Sequence, residues 1–294
     1  MLDYSRYDGL GLAALVRSRQ VSPRELAEAA IAAIEALDPQ LNFICHRLYD
    51  RARETAAHID PAAPFAGVPF LLKDLGAQLA GTPYEGGSRL MQGHISAADS
   101  NLTRRFVDAG LNIVAKSTTP EFGAQITTES ILTGITRNPW SLDHTPGGSS
   151  GGAAAAVAAG VVPLAHANDG LGSIRIPASN CGLFGLKPTR QRTPCGPQLA
   201  EVSGGRGVEF IVSRSVRDSA ALLDLVHGAD VGAPHWAPPP ARPYREELAA
   251  PPVPLRIALM TRTFTGARVE PACSDAAIAT ARLCEDLGHV VTEA

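Results

Sequence analysis

Cysteine is sparse and unpatterned in this chain. The five residues, at positions 45, 181, 195, 273 and 284, are odd in number and widely scattered. No CxxC pair occurs among them, so neither a disulfide framework nor a zinc site is expected. An HExxH motif is also missing, and the eight histidines are dispersed. Net charge is only −3, and no Lys/Arg run stands out. Nucleic acid is therefore not an expected partner. The longest apolar run lies around Ala153–Ala165, short of the roughly 20 residues a membrane-spanning helix needs. Met1-Leu2-Asp3-Tyr4-Ser5-Arg6 lacks the basic-then-apolar order of an export signal. A reducing cytoplasm is the expected location. Phosphate-loop signatures fail too: no Gly-Lys-Ser/Thr follows the glycine-rich run, and GxGxxG is absent.

The chain does hold two loops of small residues between 145 and 189. The first is Gly147-Gly148-Ser149-Ser150-Gly151-Gly152, and the second is Asn168-Asp169-Gly170-Leu171-Gly172-Ser173. Each leads into a segment that can be helical. A helix start leaves about four N–H donors free and carries partial positive charge. A serine placed there, among glycines that permit close backbone approach, suits a nucleophile beside an oxyanion hole. A Gly/Ser run is more often a flexible linker. Here, however, Ala153–Ala159 follows at once as a strong helix former. The local pattern alone leaves a structural and a catalytic loop both open.

Around these loops, helix and strand patterns alternate. Helices are expected over 8–18, 22–37, 49–58, 100–109, 216–227 and 271–287. The second opens on Ser22-Pro23-Arg24-Glu25, a capping box with proline at the first position, and Asp38-Pro39 is expected to stop it. Strands are expected over 41–48, 67–73, 111–116, 161–166, 182–186, 208–212, 255–260 and from 289 onward. The alternation suggests an α/β sheet flanked by helices. The irregular stretch 117–146 is expected to line a cleft, and the proline-rich 232–254 to be an extended connection rather than a separate domain. His166 reads as a satisfied core residue rather than a metal ligand. Lys73, at the end of an apolar strand, is unusual because lysines are rarely buried unpaired. On spacing alone, it pairs with Asp74.

Several motifs in this order resemble the amidase signature family. They are Gly147–Gly152, then Gly172-Ser173-Ile174-Arg175-Ile176-Pro177-Ala178, then Cys181-Gly182-Leu183-Phe184-Gly185-Leu186-Lys187-Pro188-Thr189. Upstream lie Gly67–Asp74 and Asn138-Pro139-Trp140. The Ala-His-Ala-Asn-Asp stretch at 165–169 is most similar to the 6-aminohexanoate cyclic-dimer hydrolase branch. The resemblance implies one amidase signature domain over 1–294, with a central mixed sheet flanked by helices. Family members run longer, so a C-terminal part is expected to be missing. It also implies hydrolysis of small-molecule amides without cofactor or metal, and indifference to chelators. A homodimer is compatible with it. Residue by residue, Ser173 is the implied nucleophile. Ser149, expected to follow a cis peptide bond, is the proton carrier, and Lys73 the base. Gly170, Leu171, Gly172 and Ser173 form the implied oxyanion hole. Ser150, Asp169 and Arg175 are implied to be structural, with Arg175 anchoring the loop on Asp169. Leu171 stands where the family has glycine, and a positive φ there would cost about 1–2 kcal/mol. Two rival readings remain: the amidase subunit of a tRNA-dependent amidotransferase, and a truncated non-catalytic remnant.

Overall fold

The computed structural model describes residues 4–294. In chain order the elements begin α1 (Gly9–Arg17), α2 (Pro23–Leu41), β1 (Ile44–Arg47), α3 (Tyr49–Ala56), β2 (Pro69–Lys73), α4 (Asn101–Asp108) and β3 (Asn112–Ser117). A two-residue hairpin follows, β4 (Glu129–Ser130) and β5 (Gly134–Ile135). Then come α5 (Gly151–Ala158), β6 (Leu164–Asp169), α6 (Arg175–Cys181), β7 (Phe184–Gly185), β8 (Val208–Ser213), α7 (Val216–Val226) and α8 (Tyr244–Glu247). The chain closes with β9 (Arg256–Leu259), α9 (Pro271–Asp286) and β10 (Val290–Glu293).

Cap chemistry sets most helix starts. The Ser22–Glu25 capping box is present with both of its hydrogen bonds. Ser100 and Ser215 cap α4 and α7 through the N–H groups of Thr103 and Asp218. The end of α2 differs from expectation, since the helix runs through Pro39 to Leu41. Asn42, in the left-handed region at φ 52°, ends it instead. The Asp38 carboxylate then accepts the N–H groups of Phe43 and Ile44, both at 2.9 Å. Asp38 thus secures the turn that follows the helix rather than stopping it.

Two compact units divide the chain, Met1–Leu248 and Ala249–Ala294, and the division falls inside the proline-rich stretch. The second unit is a small βαβ: β9 and β10 pair in parallel, with α9 between them in sequence. The first is built on a six-stranded mixed sheet in the order β1-β3-β2-β6-β8-β7. Its inner pairs β3–β2 and β2–β6 are parallel, and the outer pairs are antiparallel. Helices flank this sheet around a core that includes Phe43, Phe65, Phe70, Phe106 and Phe210.

Two consequences of this topology position the site. Because β2 and β6 run parallel with Leu71 opposite Ala165, Lys73 and the Asn168-Asp169 pair emerge on the same sheet edge. In parallel sheets that carboxyl edge is where ligands bind. Strand β6 starts later than its apolar pattern suggests and runs on into a polar end. Its ladder with β8 continues through Asn168 and Asp169, opposite Glu209 and Val208.

Helix α5 is the second consequence, and its glycines serve packing rather than flexibility. It packs against β2, β6 and β8, and its residues from Gly151 to Val157 are buried. A Cβ on Gly152 would lie 2.5 Å from the Thr118 nitrogen and 2.8 Å from the Phe43 carbonyl oxygen. One on Gly151 would lie 2.2 Å from Thr128 Oγ1. Only glycine lets the helix start, and with it the serine loop, sit this close to the sheet.

Candidate active site

The last residue of β2 carries the centre of the site. Lys73 is fully buried, and its ammonium group has three side-chain neighbours. Ser149 Oγ lies at 2.7 Å, Ser150 Oγ at 2.9 Å and Asn168 Oδ1 at 2.6 Å. The alternative pairing with Asp74 does not occur. Asp74 is instead held by Lys116 of β3 at 2.7 Å, both groups being buried. With no carboxylate in contact, burial dominates, and the Lys73 ammonium is pushed down from its ordinary range to about 7. The charges of Glu209 and Asp169 oppose the shift without cancelling it.

A ring of polar groups fixes this lysine from both ends. Its backbone N–H donates to His166 Nδ1 at 3.2 Å. His166 Nε2 meets Glu209 Oε2 at 2.8 Å. The Asn168 side-chain amide donates to the Leu75 carbonyl at 2.9 Å and toward Glu209 Oε1 at 3.3 Å. With Nδ1 accepting, His166 carries its proton on Nε2, facing the carboxylate. With its amide N–H groups turned to Leu75 and Glu209, Asn168 must present oxygen to Lys73. His166 is therefore satisfied in the core, as its place in an apolar strand suggested. Gly76, at φ 95°, lies against this ring, and a Cβ there would sit 2.2 Å from Glu209 Oε2.

The serine loop enters from the start of α5. The Gly148–Ser149 peptide bond is cis. Ser150 Oγ lies near both backbone polar groups of Asn168, accepting from its N–H at 3.3 Å and donating to its carbonyl at 3.4 Å.

The second loop is organised by Asp169. Its carboxylate accepts the N–H groups of Gly172 at 2.7 Å and Ile174 at 3.2 Å. Arg175 grips it with two nitrogens, at 2.9 and 3.0 Å. Burial alone would raise the Asp169 carboxyl, but Arg175 and these amides outweigh it and hold the group below its usual range. Arg175 thereby ties the loop to Asp169.

The expected oxyanion donors need one correction. The Gly172 N–H is occupied by Asp169, so it is not available to a ligand. The N–H groups of Leu171 and Ser173 have no acceptor among the described residues. Strain at Leu171 does not arise. Gly172 takes the unusual backbone conformation, at φ 131°, and Leu171 is not among the positive-φ residues. The Leu171 side chain is 80% exposed.

Ser149, Asn168, Leu171, Ser173 and Glu209 line one cleft of about 410 Å³. The stretch 122–126 contributes to its wall, as expected for the irregular segment after β3. Ser173 is half-buried, and its hydroxyl has no hydrogen-bond partner among the described residues. Residues 149, 150, 73 and 168 thus form one hydrogen-bonded cluster, and Ser173 faces the cleft beside it. Sequence reasoning missed Asn168 and Glu209. The available signal was Glu209 itself, a lone carboxylate in the otherwise apolar Val208-Glu209-Phe210-Ile211-Val212.

Known proteins resemble this chain over nearly its whole length. The chain is 42% identical over 292 residues to the 6-aminohexanoate-cyclic-dimer hydrolase of Paenarthrobacter ureafaciens, covering 98% of this chain and 59% of the relative. A solved structure of a 6-aminohexanoate cyclic dimer hydrolase superposes with a TM-score of 0.96 at 42% identity, covering 100% of this chain and 61% of that one. A bacterial aryl acylamidase structure of the amidase signature enzymes gives 0.91 at 34% identity, over 98% of this chain and 61% of that one. The chain therefore spans about three fifths of the length of these relatives. The Amidase family model matches residues 25–294. This chain belongs to the Amidase family.

Proposed function

We propose that this chain carries the acyl-transfer site of an amide hydrolase, with Ser173 as nucleophile, Ser149 as proton carrier and Lys73 as base. The observation that supports this best is the contact between the Lys73 nitrogen and the Ser149 hydroxyl, made where burial holds the lysine near pH 7. A neutral lysine has two N–H groups and one lone pair. Asn168 Oδ1 and Ser150 Oγ take the N–H groups, and the lone pair faces the Ser149 hydroxyl.

In this reading Ser173 Oγ attacks the amide carbonyl as its proton passes to Ser149 and the Ser149 proton passes to Lys73. The carbonyl oxygen gains charge within reach of the Leu171 and Ser173 N–H groups, where fixed donors stabilise it. The tetrahedral intermediate collapses as Lys73 returns its proton through Ser149 to the leaving nitrogen, which departs as an amine. Water then attacks the Ser173 ester, losing its proton along the same relay, and releases the carboxylic acid.

The substrate class is a carboxylic amide small enough for the cleft. The named activities of the relatives, on a cyclic 6-aminohexanoate dimer and on aryl acylamides, place cyclic amides and anilides first for testing. A fluorophosphonate probe, followed by peptide mass mapping, tests the assignment. Labelling at Ser173 that is lost in Lys73→Ala supports it. Labelling at another serine, or none on a chain that melts cooperatively, overturns it.

A further inference from the structure

A second cluster of reactive groups gathers around Asp74, the partner of Lys116. The sulfur of Cys45, the imidazole of His46 and the carboxylate of Asp74 come together with their ligand atoms all within 4.8 Å. Glu85 adds a fourth group, with Oε2 at 3.2 Å from His46 Nε2. From Cys45, His46 and Asp74, with Glu85 at the rim beside His46, we infer a binding site for one thiophilic divalent cation such as Zn²⁺. It is independent of the proposed hydrolysis, no step of which uses it.

Backbone geometry makes this convergence possible. Neighbouring residues of a regular strand point to opposite faces, so adjacent Cys45 and His46 should diverge. The β1–β3 register shifts between Ile44 and His46, leaving Cys45 as the extra residue of a bulge. A bulge re-aims side chains, and here both adjacent ligands turn toward Asp74.

The ligand atoms have the spacing and support that a metal requires. Tetrahedral zinc with bonds of about 2.0–2.3 Å has ligand–ligand edges of roughly 3.3–3.8 Å. His46 Nε2 lies 3.8 Å from Asp74 Oδ2 and 3.2 Å from Glu85 Oε2. Lys116 holds Asp74 Oδ1 at 2.7 Å, the Glu85 N–H reaches the two Asp74 oxygens at 3.3 and 3.2 Å, and the Gly93 N–H holds Glu85 Oε1 at 2.7 Å. Such outer partners orient metal ligands. His46 Nε2, meanwhile, is buried, with these two carboxylates as its polar neighbours. The charges also suit a cation. Two carboxylates face one ammonium, and loss of the Cys45 proton would let a divalent ion neutralise the cluster. His46 and Glu85 remain partly exposed, with side chains 18% and 11% accessible, which gives the ion a way in.

Cobalt(II) is the direct probe, because thiolate ligation gives it a near-ultraviolet charge-transfer band. Titration of the purified chain with Co²⁺ should give that band at one equivalent and lose it on adding Zn²⁺. The band should vanish in Cys45→Ser and weaken at least tenfold in apparent affinity in His46→Ala and Glu85→Gln. No band in the unaltered chain, or a band that survives Cys45→Ser, overturns the inference. A circular-dichroism melt of each variant keeps the loss separable from misfolding, and Glu85→Gln, at a partly exposed position, serves as the folded reference. Fluorophosphonate labelling of Ser173 should be the same with and without a chelator, so this site and the proposed relay succeed or fail separately.

Discussion

Replacing Glu209 with glutamine tests how the buried lysine is tuned. In the folded chain, burial pulls Lys73 down to about 7 while the Glu209 charge pulls it back up. One side-chain amide, that of Asn168, separates the two groups. At an effective dielectric of ~20, charges so spaced interact by about 2 kcal/mol, or roughly one to one and a half pKa units. Glutamine keeps the shape and an oxygen for His166 but removes that charge. Lys73 should then fall to near pH 6. Only the neutral lysine can take the Ser149 proton, so the acid limb of the pH–rate profile should move down by about one unit. Hydrolysis of an aryl amide such as a nitroanilide, followed from pH 5 to 9, reads this directly. At pH 6 the variant should retain a larger fraction of its own plateau rate than the unaltered chain does. An acid limb that stays in place, or moves up, would refute the reasoning, because removal of a negative neighbour can only favour neutral lysine.

Lys73→Ala, Ser149→Ala and Ser173→Ala should each lower aryl-amide hydrolysis by about 10³-fold or more, and substantial turnover in Ser173→Ala would remove it as nucleophile. Arg175→Ala releases the Asp169 grip on the second loop. It should lower kcat by roughly ten- to a hundredfold through misplacement of Ser173, with a smaller change in melting behaviour. Gly76→Ala forces a Cβ to within 2.2 Å of Glu209 Oε2 at a φ of 95°. It should cost about 2–4 kcal/mol of stability by urea unfolding. Lys73 also links stability to pH. Its folded value of about 7 lies below the ordinary 10.5, so between these limits the unfolded chain holds more protons and stability should rise with pH. The slope approaches about 1.4 kcal/mol per pH unit. Urea midpoints at pH 7.5 and 9.5, compared between the unaltered chain and Lys73→Met, isolate it. Equal slopes in the two chains would refute the depressed lysine.

What the sequence displayed of this arrangement, and what it hid, follows from how each part is encoded. The two glycine–serine loops were legible because close backbone approach demands runs of small residues, and such runs are visible one after another. The caps at Ser22, Ser100 and Ser215 were legible because a cap bonds within three residues of itself. The alternation of apolar strands and helices announced the sheet for the same local reason. The polar ring was hidden because its members sit on β2, β6 and β8, and only strand pairing brings them together. A lysine followed by an aspartate invited the nearest pairing. Yet successive strand residues face opposite sides, so Lys73 and Asp74 were bound to find different partners, Asn168 and Lys116. That separation is the physical basis of the site. Had Asp74 neutralised Lys73, the lysine would have stayed charged at neutral pH and could not have accepted a proton. By giving Asp74 to Lys116, the sheet leaves Lys73 among neutral oxygens, with carboxylate charge only at one remove. The proposed base thus depends on a pairing across β2 and β3 that does not include it, and Lys116→Met should expose this. Freed from Lys116, Asp74 becomes an uncompensated charge next in sequence to Lys73. The acid limb of the pH–rate profile should therefore rise above 7, opposite in sign to the Glu209→Gln shift.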